Sequence, residues 1–368
     1  MMGGDVVRRL IHAKDIDHLA LGATVLGTGG GGDPYIGALM AKQAIEKYGP
    51  VEMVSIDELN DDDLVIPSAM MGAPTVMIEK MPGGDEPVKA FTQLEKFLGR
   101  KAAATVSIEA GGLNSTIPFV VAAELGIPIV DADGMGRAFP EIPMTALHFG
   151  GISATPMMVA DEKGNTVLLS TVNGAWTEAL SRNATIVMGG SSMLALYGAN
   201  ADKMAPNLVH GTLSTAMKIG ELLEAKEDAA VRLANLLKFT DGVEVFRGKL
   251  TDVMRRTVDG FARGTVTLEG MGVDSGSVCR LEFQNENLIA MRDGEPVATV
   301  PDLITVLDQE TIHPITTEEL RYGQRVIVIT MPCAPVWHRP ECLELVGPRY
   351  FGYDFDFKPL RPLTTQNA

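Results

Sequence analysis

Acidic side chains, an arginine and a histidine that could take part in acid–base chemistry are concentrated in one part of the sequence. Asp131 and Asp133 lie in the segment DADG, and Arg137 follows them in GMGR. Glu109 precedes two glycines in EAGGLNS, and His148 lies in MTALHFGG. Carboxylates and imidazoles can take a proton from water, and a guanidinium can bind a substrate oxygen through its fork of donors. The catalytic candidates are therefore Asp131, Asp133, Glu109 and His148, with Arg137 as a candidate substrate anchor.

Each of these candidates also has a structural interpretation. Either aspartate could accept backbone hydrogen bonds in a Gly-rich turn, and Arg137 could form an ion pair with Asp131, Asp133 or Glu141. A lone histidine is more often structural than catalytic. The same donor types would suit a divalent metal if the fold brought them together, yet no HExxH or HxH spacing occurs. These residues therefore do not decide whether the protein binds a metal.

Two predicted strands and a helix position these acids. AAATVSIEA and IPIVDADG are apolar runs, and NSTIPFVVAAELG between them predicts a helix that Asn114 or Ser115 caps. A strand, a helix and a strand with tight connections predict a βαβ unit with parallel strands. The carboxyl ends of such strands open onto one crevice, where ligands usually bind, so we expect at least one of the two aspartates to contact a ligand. Asn114 is kept as a substrate-binding candidate beside its capping role.

Four consecutive glycines lie near the start of the chain, in LGTGGGGDPY. Helical spacing precedes them from Asp15, and Asp33 with Pro34 predicts the start of another helix. Dinucleotide and Walker loops lie between a strand and a helix, and Asp33 would repel a phosphate, so we expect no nucleotide. The segment is interpreted as backbone that approaches a small polar ring or another loop. Its candidate substrate-binding residues are Gly29, Gly30, Gly31, Gly32 and Asp33.

Composition and charge restrict the class of protein. The 368 residues include 31 basic and 47 acidic ones, for a net charge of -16, which makes nucleic acid and anionic membranes poor partners. The start of the chain lacks a signal-peptide core, and no apolar run is long enough to cross a bilayer, so we expect a cytoplasmic protein. Cys279, Cys333 and Cys342 form no CxxC pair, and we expect reduced thiols. Cys333 has a single nearby histidine, His338, and is interpreted as an inert buried thiol.

The pattern of elements predicts a multidomain α/β protein with a mostly parallel N-terminal body and a β-rich (α+β) C-terminal domain. We place the α/β body at 1–240, the β-rich domain at 241–332 and a C-terminal segment that packs back on the body at 333–368. Ahead of the β-rich domain, GAWTEALSRN predicts a helix and ATIVMGG predicts a strand.

Four segments taken in order carry a resemblance to a known family: LGTGGGGDP, EAGGLNS, DADGMGRAFPE and ELVGPRYFGYD. Together they resemble the S-methyl thiohydantoin desulfurase-like family, long known as a domain of unknown function associated with hydantoinase and oxoprolinase proteins. The resemblance extends from the first helix to Asp354. It implies a multidomain α/β fold and a hydrolase acting on a five-membered hydantoin-type ring, with release of methanethiol from the S-methylated thio form. It supplies no list of catalytic residues.

The chemistry implied by this resemblance gives each candidate a role. Asp131 or Asp133 would act as base or metal ligand, Glu109 or His148 as its partner, and Arg137 as anchor. The amides of Gly29 to Gly32 would stabilise negative charge on the ring. The partner is then a small cyclic amide or thiohydantoin, and a homo-oligomer is left open.

Two other interpretations use the same residues. One is a metal-assisted cyclic amidohydrolase that acts on hydantoins. The other is a non-catalytic accessory or ligand-binding subunit of a hydantoinase- or oxoprolinase-type system. A nucleotide-dependent kinase or ligase, suggested by the glycines alone, ranks third.

Overall fold

The computed structural model of the protein describes residues 9–72, 76, 82–258 and 260–360. Two β-sheets organise these residues, the first surrounded by most of the helices and the second formed by the later part of the chain. The helices are α1 (Ile16–Leu26), α2 (Pro34–Tyr48), α3 (Glu86–Leu98), α4 (Ile117–Leu125), α5 (Ala146–Phe149), α6 (Gly174–Val187), α7 (Ala201–Met204), α8 (Thr212–Leu223), α9 (Ala229–Thr240) and α10 (Pro340–Val346). None of these helices has the length and apolar character that a bilayer span requires.

The first sheet is mixed: four neighbouring strands run parallel, and antiparallel strands flank them on both sides. Its strand order is β1-β2-β5-β4-β3-β8-β6-β7, with β9 beside β3 and β10 beside β5. Strands β2, β5, β4 and β3 run parallel, and the other pairings are antiparallel. The strands are β1 (Arg9–Ile11), β2 (Val51–Val54), β3 (Leu64–Gly72), β4 (Ala104–Ser107), β5 (Ile129–Asp133), β6 (Met157–Ala160), β7 (Thr166–Leu169), β8 (Ser191–Ala195), β9 (Ala199–Asn200) and β10 (Val209–His210).

The predicted βαβ unit is confirmed. Strands β4 and β5 pair in parallel, and α4 connects them. The expected cap is wrong, because Thr116 and not Asn114 or Ser115 is the N-cap of α4, and its side chain makes no capping hydrogen bond. The left-handed conformation of Gly126 (φ 65°) closes the other end of the helix. The carboxyl ends of β3, β4 and β5 consequently lie at one edge of the sheet.

The second sheet is antiparallel throughout and confirms the β-rich character of the later chain. Its order is β15-β14-β13-β12-β11-β18-β16-β17. The strands are β11 (Val243–Val258), β12 (Phe261–Gly270), β13 (Val278–Gln284), β14 (Glu286–Arg292), β15 (Glu295–Thr299), β16 (Leu303–Asp308), β17 (Pro314–Ile315) and β18 (Arg325–Met331). The second sheet therefore starts at Val243, close to the predicted boundary at 241. Residues 1–8 and 361–368, at the two ends of the chain, lie outside the described residues.

One predicted strand is wrong. The segment ATIVMGG was expected to be extended, but α6 continues through it to Val187, and β8 begins only at Ser191. Ile186 and Val187 are exposed, so their β-branched side chains contribute little to a core here. The helix is instead favoured by burial of one of its faces, which includes Thr177, Ser181 and Thr185.

The chain after β18 packs on the first sheet's side of the molecule. A short 3₁₀-helix (Pro335–His338) carries Trp337, whose side chain is fully buried. Its indole Nε1 donates to the carbonyl of Met135 at 2.7 Å, and its ring lies edge-on to Phe139 at 5.0 Å between centroids. The two parts of the chain thus share buried contacts.

Candidate active site

A cleft lies at the carboxyl ends of β3 and β4, where the β13–β14 turn of the second sheet closes it. Its unfilled space, counted to the open mouth, is about 650 Å³. The polar lining comes from the loops after β4 and β5, from α6, from the glycine segment and from the β13–β14 turn: Gly31, Gly32, Glu109, Asn114, Glu141, Arg182, Asn285 and Glu286. The site is therefore formed only when the two sheets pack together.

Glu109 follows the end of β4 and is buried in the cleft. Its Oε1 accepts a hydrogen bond from Nδ2 of Asn114 at 2.6 Å, and its Oε2 accepts one from the amide of Phe139 at 3.2 Å. Asn114 is itself held by β3, because its Oδ1 accepts the amide of Met70 at 2.7 Å. Burial raises the pKa of Glu109 to about 7, against the opposing effect of these donors and of the Arg137 charge. The carboxyl group is oriented and titrates near neutrality.

Glu286 is the second buried carboxyl group of the cleft and the first residue of β14. Its Oε2 has no hydrogen-bond partner among the described residues, although the side chain is only 2 % exposed. Burial, and then the negative charge of Glu109, raise the pKa of Glu286 well above its ordinary value. An unsatisfied buried carboxyl group that faces a cleft is typical of a group that meets a ligand.

Together, Glu109 and Glu286 form a pair with unequal proton affinities. Glu109 has two donors to stabilise its ionised form, whereas no donor from another described residue reaches Oε2 of Glu286. At neutral pH the pair therefore favours a protonated Glu286 beside a Glu109 that is partly ionised. Such a pair can supply one general base and one general acid to the same molecule.

The remaining walls of the cleft are mostly apolar. They consist of Ala69, Met70, Met71, Ile108, Met135, Phe139, Ile142, Leu194 and Leu196. Near them Glu141 accepts the Tyr350 hydroxyl at 2.8 Å, and Arg182 pairs with Glu178. The cleft thus combines apolar walls with two buried carboxyl groups.

The glycine segment connects α1 and α2, as predicted, and it approaches two other loops. The carbonyl of Gly31 accepts the amides of Leu113 and Asn114 at 2.9 and 3.2 Å, and a Cβ on Gly31 would overlap the Cα of Gly111. The carbonyl of Gly29 accepts both donors of Thr317 at 2.9 and 3.1 Å. Bare backbone is thus needed for close packing of loops.

Of the four predicted glycines, Gly31 and Gly32 line the cleft, whereas Gly29 and Gly30 do not. The Gly30 amide donates to the carbonyl of Gly27 at 2.9 Å. Asp33 also lies away from the cleft lining and caps α2, since its Oδ1 accepts the amides of Tyr35 and Ile36 at 2.8 and 3.0 Å.

The two aspartates of DADG have protein partners and do not line the cleft. Asp131 accepts the amide of Ser214 at 3.0 Å and its hydroxyl at 2.5 Å, which caps the first turn of α8. Asp133 is fully buried and accepts the amides of Met135 and Gly136 in the turn after β5, at 3.0 and 2.7 Å. Burial raises the pKa of Asp133 to about 7. Both aspartates therefore accept hydrogen bonds from the protein backbone, as in the structural alternative given above.

Arg137 is fully buried beside the cleft and does not line it. Its Nη1 donates to the carbonyls of Pro301 and Asp302 at 2.7 and 2.9 Å, and its Nη2 donates to the Thr28 hydroxyl at 3.0 Å. Within the described part of the chain it makes no ion pair, so the expected pairing with Asp131, Asp133 or Glu141 is absent. Its fork instead connects the first sheet, the glycine segment and the second sheet.

His148 lies in the one-turn helix α5 and is half-buried. Its ring packs edge-on against Phe149 at 5.4 Å, and burial lowers the pKa of the imidazole. It does not line the cleft. The four donors considered for a metal, Glu109, Asp131, Asp133 and His148, form no metal-binding cluster among the described residues.

Sequence reasoning missed Glu286. The residue before it, Asn285, adopts the left-handed conformation of a turn, with φ 58°. The available signal was an acidic residue between two strand-forming runs, VCRLEFQ and LIAM.

A two-sheet α/β protein with a buried carboxyl pair between its sheets is the class that these observations define. The models of the S-Me-THD-like N-terminal and C-terminal domains match residues 14–171 and 172–360, respectively. The chain therefore belongs to the S-Me-THD-like family.

Among solved structures, the chain is similar to a protein from Chromobacterium violaceum, with 28% identity and a TM-score of 0.82. The match covers 96% of this chain and 100% of that one. No curated protein matches the chain. The family models divide the chain at 171/172, whereas the second sheet starts at Val243. The boundaries expected from the sequence stay a prediction.

Proposed function

We propose that this protein is a hydrolase that replaces the methylthio group of an S-methyl thiohydantoin by oxygen and releases methanethiol. Membership of the S-Me-THD-like family supports the substrate class. The observation that carries the reaction type is the pair of buried carboxyl groups, Glu109 and Glu286, on one small cleft with apolar walls.

In the first half of the reaction, the Glu109 carboxylate takes a proton from water while the water oxygen bonds to the ring carbon that carries sulfur. The electron pair of the C=N bond moves to the ring nitrogen, which takes the proton of Glu286. The ring carbon is then tetrahedral, with oxygen, sulfur and two nitrogens. Each carboxyl group has moved one proton, which is the role that its environment favours.

In the second half, the C–S bond breaks and its electron pair leaves with sulfur. Glu109 returns its proton to the departing methanethiolate, and Glu286 takes the hydroxyl proton as the C=O bond forms. Water and the S-methyl thiohydantoin thus become hydantoin and methanethiol, with both carboxyl groups restored. The backbone of Gly31 and Gly32 lines the same cleft and offers polar groups to a bound ring.

The test is methanethiol release by the purified full-length chain, followed with a thiol reagent in the presence of a panel of S-methyl thiohydantoins. In ¹⁸O-labelled water, the hydantoin product should carry one labelled oxygen. Glu109→Gln and Glu286→Gln should each lower kcat by about 10²- to 10⁴-fold, because each removes one proton transfer. Glu295→Gln, an exposed acid on β15, is the matched control and should leave kcat unchanged.

Two outcomes would contradict the proposal. Ring binding without thiol release from any member of the panel would favour a ligand-binding accessory subunit. Undiminished turnover in both glutamine variants would remove the carboxyl pair from the mechanism.

A further inference from the structure

Three potential metal ligands of different chemistry converge where the second sheet meets the C-terminal segment. Asp302 precedes β16, Cys333 follows β18, and His338 ends the 3₁₀-helix that carries Trp337. One ligand atom from each of the three lies within 4.8 Å of the others. Strands β16 and β18 are neighbours, with Leu303 opposite Met331, so the sheet itself brings the first two together.

We propose that Asp302, Cys333 and His338 bind one divalent zinc ion, with a water as the fourth ligand. Zinc accepts carboxylate, thiolate and imidazole ligands together, and four-coordination suits ligand atoms a few ångströms apart. Magnesium and calcium prefer a set of oxygen ligands, and this cluster contains one carboxylate beside a thiol and an imidazole. This inference goes beyond the proposed function and does not depend on it.

The ligand atoms are held in place by their surroundings. Asp302 accepts the amide of Cys333 at 2.9 Å through Oδ1 and the amide of Leu360 at 2.7 Å through Oδ2. Each oxygen keeps a further lone pair for a metal. The His338 ring packs edge-on against Phe357 at 5.4 Å. Such outer contacts orient ligands before the metal arrives.

Two ligands that can be anionic, the Asp302 carboxylate and the Cys333 thiolate, lie near one positive charge, that of the buried Arg137, which interacts with both. The Arg137 guanidinium donates to the main-chain carbonyl of Asp302, and it makes no ion pair with the Asp302 side chain. Asp302 and Cys333 are buried, while His338 is half-buried, which leaves the site a route to solvent. On binding, the Cys333 S–H bond is replaced by a bond from sulfur to the metal, and the proton goes to solvent.

The consequence is a clamp between the second sheet and the chain that follows it. Without the ion, the 3₁₀-helix is held by the buried Trp337 and its hydrogen bond to Met135. With the ion, two strands of the second sheet would be cross-linked to the same helix. Zinc should therefore raise the melting temperature of the full-length chain.

The experiment uses chelator-treated full-length protein titrated with Co²⁺ and Zn²⁺. We expect one equivalent of Co²⁺ to bind with a thiolate-to-cobalt charge-transfer band and tetrahedral ligand-field bands, both lost when Zn²⁺ is added. Cys333→Ser should abolish the charge-transfer band, and His338→Ala should weaken binding at least about 100-fold. Cys342→Ser, a buried cysteine outside the cluster, is the matched control and should retain the bands.

Absence of stoichiometric binding to the wild-type chain would overturn the proposal, as would an unchanged spectrum of Cys333→Ser. Because His338 is only half-buried, His338→Ala should stay folded, and circular dichroism checks this independently. Glu109→Gln should bind zinc like the wild-type chain. Failure of the metal site and failure of the proposed reaction can therefore be told apart.

Discussion

The Glu286 carboxyl group lies directly against the backbone of Gly30, so close that a Cβ on Gly30 would overlap its Oε1. Gly30 does not have a positive φ, and alanine is conformationally tolerated at this position. The glycine segment therefore leaves room for a buried acid from the other sheet. A glycine at position 30 is therefore explained by the space that the Glu286 carboxyl group occupies.

Gly30→Ala should displace the Glu286 carboxyl group without altering its chemistry. We expect kcat for methanethiol release to fall at least about tenfold, because even a small misplacement of a catalytic group is costly. Gly198→Ala is the control, since a Cβ there meets only ordinary van der Waals contacts of 3.4 Å or more. If the overlap is the cause, the destabilisation by Gly30→Ala and by Glu286→Ala should be less than additive in denaturant unfolding.

The rate should depend on pH in a bell shape. Glu109 acts as base when ionised, and its pKa of about 7 places the rising limb near neutrality. Below that pH, kcat should fall about tenfold per pH unit, because protonated Glu109 cannot accept a proton. The falling limb lies at higher pH, where Glu286, whose pKa burial raises further, loses its proton. Steady-state assays across pH 5 to 10 measure this, and a rate that keeps rising with acidity would exclude the assignment.

Asn114 positions Glu109 and should control where the rising limb lies. Asn114→Ala removes the 2.6 Å donor to Oε1, which stabilises the ionised form. The pKa of Glu109, and with it the rising limb, should move to higher pH. A purely structural loss would lower kcat equally at all pH values and leave the limb in place. Asn183→Ala, on the exposed surface of α6, is the matched control.

Replacing Arg137 by lysine should destabilise the protein, although the replacement keeps the positive charge. Arg137→Lys cannot reach the carbonyls of Pro301 and Asp302 and the Thr28 hydroxyl at once. We expect the free energy of unfolding to fall by at least about 2 kcal/mol, the scale of one or two lost charged hydrogen bonds. Urea titration measures this, with the exposed Arg256→Lys expected within about 0.5 kcal/mol of wild type. Equal stability of the two variants would contradict the connecting role of Arg137.

Local sequence signals predicted the part of the site that lies on one βαβ unit. Apolar strands, a helix-forming run and the left-handed Gly126 decide β4, α4 and β5, and the loop after β4 carries Glu109 and Asn114 into the cleft. These signals depend on neighbours in the chain, so they can be read without the fold.

The sequence could not decide which acid finds a protein partner. Asp131 lies within β5 and Glu109 follows the end of the parallel strand β4. Ser214 of α8 donates to Asp131, whereas Glu109 lines the cleft. That difference depends on where a helix from much later in the chain packs. Burial and partner choice are long-range properties, and they determine which carboxyl groups stay available.

By itself, the sequence determined the acidic, apolar-cored composition, the two kinds of sheet, the helix-to-helix position of the glycine segment and the family. Only the tertiary structure brought Glu286 to Glu109, and Asp302 to Cys333 and His338. The physical reason is that secondary structure follows from local spacing and backbone preference, whereas each of these groups joins residues from elements distant in the chain. Their proximity arises from packing one sheet against the other, which no short segment encodes.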